Sequence, residues 1–277
     1  MNETIVNVAN LNVHFGSAHV LRDVSFALAT GTTIGVVGES GSGKSTLAKT
    51  LVGTVPASDG EVWVDGLDVR HATRRQLADY RRRTQMIPQD PFSSLSPRRT
   101  IGQTLAEAIE PGRGRVRPHR ERIVDWLERV GLAGSMMDRY PHEFSGGQRQ
   151  RIAIARGLIV DPTLVIADEI TSALDVSVQS QILELLAEIR DTLGLTMMFI
   201  SHNLAVVQRV SDEVLVLYRG VVVERGPVAQ IFNDPKHWYT RSLLEADPGS
   251  PGFTLDATAL DAERSMASTP RGKASHQ

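Results

Sequence analysis

Read as apolar and polar positions alone, the first thirty residues alternate in short runs. These are Ile5-Val6-Asn7-Val8, Leu11-Asn12-Val13-His14-Phe15 and Val24-Ser25-Phe26-Ala27-Leu28. In the last run Val24, Phe26 and Leu28 share a face, and Gly31 closes the stretch, so residues 3–30 are predicted as antiparallel strands. Residues 61–66 read as another strand with a turn. Between them Thr33-Ile34-Gly35-Val36-Val37 is almost continuously apolar, the pattern of a strand covered on both faces. Beyond it the period switches. A helix is predicted over 44–53 and a strand over 85–87. Residues 100–160 are mostly helical, with loops at 111–118 and 138–147, and a strand covers 164–167. Ile182, Leu185, Leu186, Ile189 and Leu193 recur at helical spacing across 176–193, with Gly194 as terminator, and 195–201 is a strand again. Strands alternating with helices mean a mostly parallel α/β sheet with attached pieces.

Composition narrows the possibilities. With 41% hydrophobic and 22% charged residues the chain can build a packed core. The formal net charge of −2 argues against coating nucleic acid through bulk charge. There is no cysteine, which removes disulfides, thiolate metal sites, cysteine-ligated iron–sulfur clusters and thiol catalysis. The longest apolar runs fall far short of the about 20 residues a membrane span needs, and the start lacks the basic-then-apolar pattern of a secretion signal. From about residue 247 onward the chain is rich in Pro, Gly, Ser, Ala and Asp, which predicts a loosely ordered tail.

The most specific motif is Gly38-Glu39-Ser40-Gly41-Ser42-Gly43-Lys44-Ser45-Thr46. It fits G-x-x-x-x-G-K-[ST], follows a predicted buried strand and precedes a predicted helix, which is the context that gives the motif meaning. Its glycines let backbone amides turn inward around an anion, and the helix N-terminus adds partial positive charge. Lys44 is expected to reach the β- and γ-phosphates of a nucleotide, and Ser45 to ligate Mg²⁺.

A second line of reasoning converges on the same place. In open parallel sheets ligands sit beyond the carboxyl ends of the strands. The strand 33–37 ends in the glycine-rich loop, 164–167 in Asp168-Glu169, 195–201 in His202, and 85–87 leads to Gln89. Asp168 is expected to hold the Mg²⁺ shell, since hard cations want oxygen ligands, and Glu169 to polarise the attacking water as general base. His202 is expected to bond the γ-phosphate or orient that water, the alternative being a structural histidine at a strand end. Gln89 would contact Mg²⁺ or water through its amide, its alternative being a solvated loop residue.

With Phe144-Ser145-Gly146-Gly147-Gln148 on the same chain, the whole resembles the ATP-binding subunit of an ABC transporter. Ser172-Ala173-Leu174-Asp175 adds to the likeness, which covers residues 1 to about 245. FSGGQ departs from the usual LSGGQ by one apolar exchange, while Pro88 and Ile170 replace a common Phe and Pro without removing a chemical group. The resemblance implies an α/β fold with a P-loop NTPase (RecA-like) core, an antiparallel β subdomain and an inserted α-helical subdomain at about 93–160. It makes 1–245 a nucleotide-binding domain and 246–277 a flexible tail.

It also implies an ATPase using ATP and Mg²⁺. Ser145, Gly146, Gly147 and Gln148 would cap the γ-phosphate held by the glycine-rich loop of a second ATP-binding subunit, identical or paralogous. Asp175 would lie in the segment crossing that interface, its rival role being N-cap of the following helix. Phe15 would stack on adenine, against the alternative of a core aromatic; His14 suits stacking less.

QMIPQDPFSSLSPRRTIGQTL, ITSALDVSVQSQIL and NDPKHWYTRSLLEADP resemble dipeptide, oligopeptide and nickel importer ATPases. This includes the Pro-x-His-x-Tyr-Thr element at 235–240. Two integral membrane permease subunits, docked near Gln89 and 93–140, are then expected as partners. An extracytoplasmic solute-binding protein is an indirect one. The location expected is the cytoplasmic face of the membrane. A soluble ATPase acting on ribosomes or DNA is the rival class, yet the chain has a single glycine-rich loop and no heptads between 53 and 143. An exporter ATPase differs only in its membrane partner. The basic stretches 70–83 and 112–122 read as solvated faces or contacts with acidic loops. Trp63 and Trp126 are expected in or near the core, and the Met136-Met137 and Met197-Met198 pairs as packing.

Overall fold

The computed structural model describes residues 3–172 and 174–246. The chain opens with two long strands, β1 (Thr4–Phe15) and β2 (Ala18–Ala29), followed by β3 (Thr33–Val37) and helix α1 (Lys44–Leu51). Next come β4 (Asp59–Val64), β5 (Leu67–Asp68), α2 (Arg74–Arg83) and β6 (Thr84–Ile87). Helices α3 (Pro91–Ser94), α4 (Ile101–Ile109), α5 (Arg120–Arg129) and α6 (Gly146–Leu158) lead into β7 (Leu164–Asp168). The remainder is α7 (Val176–Leu193), β8 (Thr196–Ile200), α8 (Leu204–Val210), β9 (Glu213–Tyr218), β10 (Val221–Pro227), α9 (Val228–Asn233) and α10 (Trp238–Glu245).

Two sheets result. Strands β2-β1-β4-β5 form an antiparallel sheet, and β10-β9-β3-β8-β7-β6 a second one that is parallel except for the β9–β10 hairpin. The inner strands of the second sheet show why near-continuous apolar runs mean double burial. Ile34, Leu164, Ile166, Met198, Ile200 and Leu215 join an apolar cluster with the antiparallel sheet and α1. Their alternating neighbours Val37, Val165, Ala167, Met197, Phe199 and Val214 pack on the opposite side with residues of α4–α7. Side chains alternate across a strand, so each strand stitches both cores. Met197 and Met198 thus serve opposite faces as packing groups.

The fold class and most predicted elements agree with the sequence pattern; several details do not. The helix after the glycine-rich loop ends at Leu51, where Val52 and Gly53 turn away, two residues short of the expected 53. Within 138–147 the chain makes a 3₁₀ turn at Pro141–Glu143. Trp63 is 41% exposed, not in the core. It alternates with the inward Val62 and Val64 on a half-covered strand, and its indole N–H donates to Glu61 (3.4 Å). Trp126, by contrast, is buried as expected. The tail expected beyond 246 lies outside the described residues.

Much of the basic charge is neutralised within the chain. Arg83 pairs with Asp65, Arg70 with Asp59 (3.2 Å), Arg113 and Arg115 with Glu110 (3.3 and 3.1 Å), and Arg122 with Asp161 (2.6 Å). Helix α2 runs through this stretch, opened by a reciprocal Thr73–Gln76 capping box. Its one buried residue, Tyr80, donates its hydroxyl to the carbonyl of Leu51 at the end of α1. Replacing Tyr80 by Phe strands that carbonyl. The expected cost is about 1–3 kcal/mol. It should be read as a lower urea midpoint at unchanged slope.

Candidate functional site

The four strand ends singled out from the sequence belong to neighbours in one sheet, in the order β3-β8-β7-β6. Beyond β3 lies the glycine-rich loop. Gly38 has φ 151° and a Cβ there would come within 2.1 Å of the Leu217 carbonyl oxygen. Gly43 has φ 109° and faces Leu21, where a Cβ would lie 2.7 Å from the side chain. At Gly38 the β9 backbone excludes a side chain, and at Gly43 the positive φ favours glycine, with β2 packed close against it. Lys44 is buried and donates to the carbonyls of Gly38 (2.8 Å) and Glu39 (2.9 Å), which folds its ammonium back over the loop. Ser40 and Gly41 form the exposed crest, and Thr46 follows, half-buried, in the first turn of α1.

Ser45, at the start of α1, donates its hydroxyl to Asp168 Oδ1 (3.3 Å). Next to Asp168, Glu169 adopts φ 49°, a left-handed conformation rare outside glycine and asparagine and typical of constrained sites. Its N–H donates to the Ile200 carbonyl of β8 (2.9 Å), and Ser172 closes the turn with both its N–H and its hydroxyl on the Glu169 carbonyl. This arrangement brings two side chains to one carboxylate oxygen. Gln89 donates its amide N–H to Glu169 Oε2 (3.2 Å), and His202 Nδ1 stands 3.4 Å from the same atom. Gln89 also donates to Ser172 Oγ (3.2 Å). The amide nitrogen is thus engaged twice within the protein.

The charges are poorly solvated. Burial lowers the Lys44 pKa despite the opposing carboxylates Glu169, Asp168 and Glu39. Burial likewise raises that of Asp168; Glu169 adds to the rise, against the Ser45 hydrogen bond and the nearby lysines. Ser45, Asp168 and Gln89 offer hard oxygen donors, which fits Mg²⁺ better than a soft metal. Among the described residues no group of three or more His, Cys, Asp or Glu could hold a metal unaided.

Phe15 ends β1 and is 51% exposed, so the core alternative for it fails. It leads through the hairpin into β2, whose Leu21 supports Gly43. His14 stacks on His19 with centroids 4.0 Å apart, which occupies one face of its ring.

The Ser145-Gly146-Gly147-Gln148 segment opens α6 as a second helix N-terminus. Ser145 Oγ accepts the Gln148 N–H (3.3 Å), and Gln148 Oε1 accepts the Ser145 N–H (3.0 Å). This capping box uses two of the first four amides, leaving those of Gly146 and Gly147 as donors the helix itself does not employ. A Cβ on Gly147 would meet Val178 at 2.6 Å, so the segment lies tightly against the start of α7. Together with Arg151, Leu174, Asp175 and Val178 it lines a concavity of about 300 Å³. Asp175 stands at the N-cap position of α7, but its side chain makes no capping bond, so of its two expected roles the capping one is unsupported.

Two features escaped the sequence. Ser172 orders the Glu169 turn. Tyr239 of α10 accepts the Glu39 N–H through its hydroxyl oxygen (2.9 Å). Nothing local signals the second contact, since the partners are 200 residues apart.

Residues 21–172 match the family model described as ABC transporter. The chain is 47% identical over 234 residues to the oligopeptide transport ATP-binding protein OppF of Haemophilus influenzae, across 82% of this chain and 69% of that protein. It is 44% identical over 255 residues to OppF of Bacillus subtilis (90% and 84%), and 45% over 255 residues to the dipeptide transport ATP-binding protein DppF of H. influenzae (91% and 78%). In structure it resembles cbiO1 of Clostridium perfringens, part of the ABC transporter complex cbiONQ, with a TM-score of 0.76, 27% identity and coverage of 84% and 92%. It also resembles MJ0796, an ATP-binding cassette described as a dimer with ADP and Pi, with a TM-score of 0.72, 26% identity and coverage of 80% and 98%.

The buried carboxylate of Asp168 costs stability, so Asp168→Asn should raise the melting temperature measured without nucleotide or Mg²⁺. Each kcal/mol relieved is worth about 2–4 °C in a domain of this size. The same variant should lose the added stabilisation that Mg²⁺ with nucleotide confers on the parent. A lower melting temperature would show that the Ser45 and lysine contacts outweigh the burial cost.

Proposed function

The chain belongs to the ABC transporter family and is an ATPase of it; from that premise we propose that it is the ATP-binding subunit of an importer for dipeptides or oligopeptides. The likeness to OppF and DppF over most of the chain supports the cargo class. A single geometric observation supports the chemistry. Four adjacent strand ends bring Lys44, Ser45, Asp168, Glu169, Gln89 and His202 around one ledge.

In this reading Gly38, Glu39, Ser40, Gly41, Ser42, Gly43, Lys44, Ser45 and Thr46 bind the triphosphate of ATP through loop amides and the ammonium, and Phe15 stacks on the adenine. Ser45, Asp168 and Gln89 hold Mg²⁺, which when bound neutralises charge on the phosphate oxygens. Glu169, fixed by its strained backbone and by Gln89 and His202, takes a proton from the water that attacks the γ-phosphorus. The P–O bond to ADP breaks as the new one forms. Phosphoryl transfer needs mainly positioning and charge, which is what these groups supply.

Residues 1–245 are the nucleotide-binding domain, with its helical part at about 93–160. A second ATP-binding subunit presents Ser145, Gly146, Gly147, Gln148 and Asp175 to the γ-phosphate. The unused amides of Gly146 and Gly147 and the distinct concavity they line support a site completed in trans. Two permease subunits dock near Gln89 and the helices α3–α5. The protein is peripheral, on the cytoplasmic face of the membrane; among the described residues no helix is long and apolar enough to cross one.

Glu169→Gln should retain ATP binding and dimerise with ATP on size exclusion, while turnover falls about 10²–10⁴-fold. Near-normal hydrolysis would assign the base elsewhere. Lys44→Ala should abolish nucleotide binding measured by fluorescence of a labelled ATP; unchanged affinity would remove the loop from the site.

A further inference from the structure

The Pro-x-His-x-Tyr-Thr element at 235–240 has no part in the chemistry above, yet the structure threads it into the phosphate loop. It begins at β10. Glu224 receives the N–H groups of Lys236 (2.7 Å) and His237 (3.0 Å), one on each carboxylate oxygen. That fixes the entry to α10 with an anion at its positive end. His237 then caps the helix, its Nδ1 accepting the Tyr239 N–H (3.2 Å). Tyr239 is consequently aimed inward and only 3% exposed. Its ring lies 4.2 Å from that of Tyr218 at the end of β9, and Trp238 packs edge-on against both. Burial pushes the Tyr239 pKa up to about 12, so the hydroxyl stays neutral.

What the hydroxyl holds matters more than that it is held. Glu39 donates its N–H to Tyr239, and the carbonyl of the same residue accepts both the Lys44 ammonium (2.9 Å) and the Ser42 N–H (3.1 Å). Residue 39 therefore sets where the ammonium and the inner turn of the loop lie. Two residues beyond Tyr218, Gly220 donates its N–H to the Ser42 carbonyl (2.9 Å). The loop is thus pinned twice from outside, once by the β9–β10 turn and once by α10.

We infer that the 235–240 element is a brace for the phosphate loop and that Tyr239 is a positioning residue for nucleotide binding, acting through the Glu39 peptide on Lys44. It holds the loop in the conformation that binds phosphate before the nucleotide arrives, so its removal raises the cost of binding and leaves the chemical step alone. This inference rests on the assignment of that loop as the ATP site.

The test is Tyr239→Phe in the full-length chain. The change keeps the ring and its apolar contacts and deletes only the oxygen. ATP affinity, read as KM for hydrolysis and as Kd for a fluorescent ATP analogue, should weaken about 5–10-fold, the scale of one buried hydrogen bond. At saturating ATP kcat should stay within about twofold of the parent. Amide exchange in a peptide covering 37–46 should quicken in the variant. A lower melting temperature with unchanged KM and unchanged exchange would make the contact one of helix docking alone and overturn the inference; a loss confined to kcat would overturn it too. Should Tyr239→Phe fold poorly, Glu224→Gln loosens the helix entry with the hydroxyl intact, and KM should rise in the same sense. Unchanged KM there would equally sink the brace. Lys44→Ala, run alongside, keeps the two readings apart. If it still binds ATP, the site assignment fails. If it does not while Tyr239→Phe binds normally, only the brace fails.

Discussion

A loop that turns its backbone amides toward an anion cannot use them to hold itself, and this constraint organises the end of the sheet. Every buried backbone group needs a partner, so the groups facing away from the ligand must be satisfied by the rest of the fold. Gly38 and Glu39 lend their carbonyls to Lys44, Ser42 lends its carbonyl to Gly220, and the Glu39 N–H goes to Tyr239. The β9–β10 hairpin and α10 are therefore supports of the loop. The positive-φ glycines complete the arrangement, since a Cβ on Gly38 would strike the β9 backbone and Gly43 holds a φ of 109°.

The second cost is electrostatic. Lys44 and Asp168 sit where burial disfavours their charges, and the carboxylates of Asp168 and Glu169 are consecutive in the chain. In isolation such a group destabilises the fold. In the proposed function a polyphosphate with a divalent cation would supply the opposite charges and offset part of that cost. The left-handed backbone of Glu169 belongs to the same pattern, a local expense borne by a well-packed sheet.

The segment at the start of α6 follows the opposite logic. Its capping box is self-sufficient, and it needs α7 only for close packing through Gly147. The box leaves the amides of Gly146 and Gly147 without a partner inside the helix, which is what the proposed site completed by another subunit requires. One chain thus carries two unlike helix N-termini, one deeply braced by the rest of the fold and one preformed by local capping.

How much of this was legible in the sequence follows from the range of each interaction. Alternation in residues 24–28, double burial of 33–37 and the helical spacing of 176–193 depend on near neighbours and on which face meets a core, and the fold follows them. The glycine spacing of the loop and the order of strand ends were equally readable, because local conformation and parallel topology dictate them. Trp63 was misjudged because apolar character does not say which face of a half-covered strand is wet. Of the two roles left open for Asp175, the sequence could not show that it stands at the N-cap position without a side-chain capping bond. By itself the sequence determined the α/β architecture and which residues gather at the strand ends. Only the tertiary structure decided that Gln89 and His202 share one oxygen of Glu169, and that a tyrosine 200 residues away secures the phosphate loop. A hydrogen bond of about 1 kcal/mol between common groups leaves no periodic trace in the chain; it exists because packing elsewhere brings its partners together.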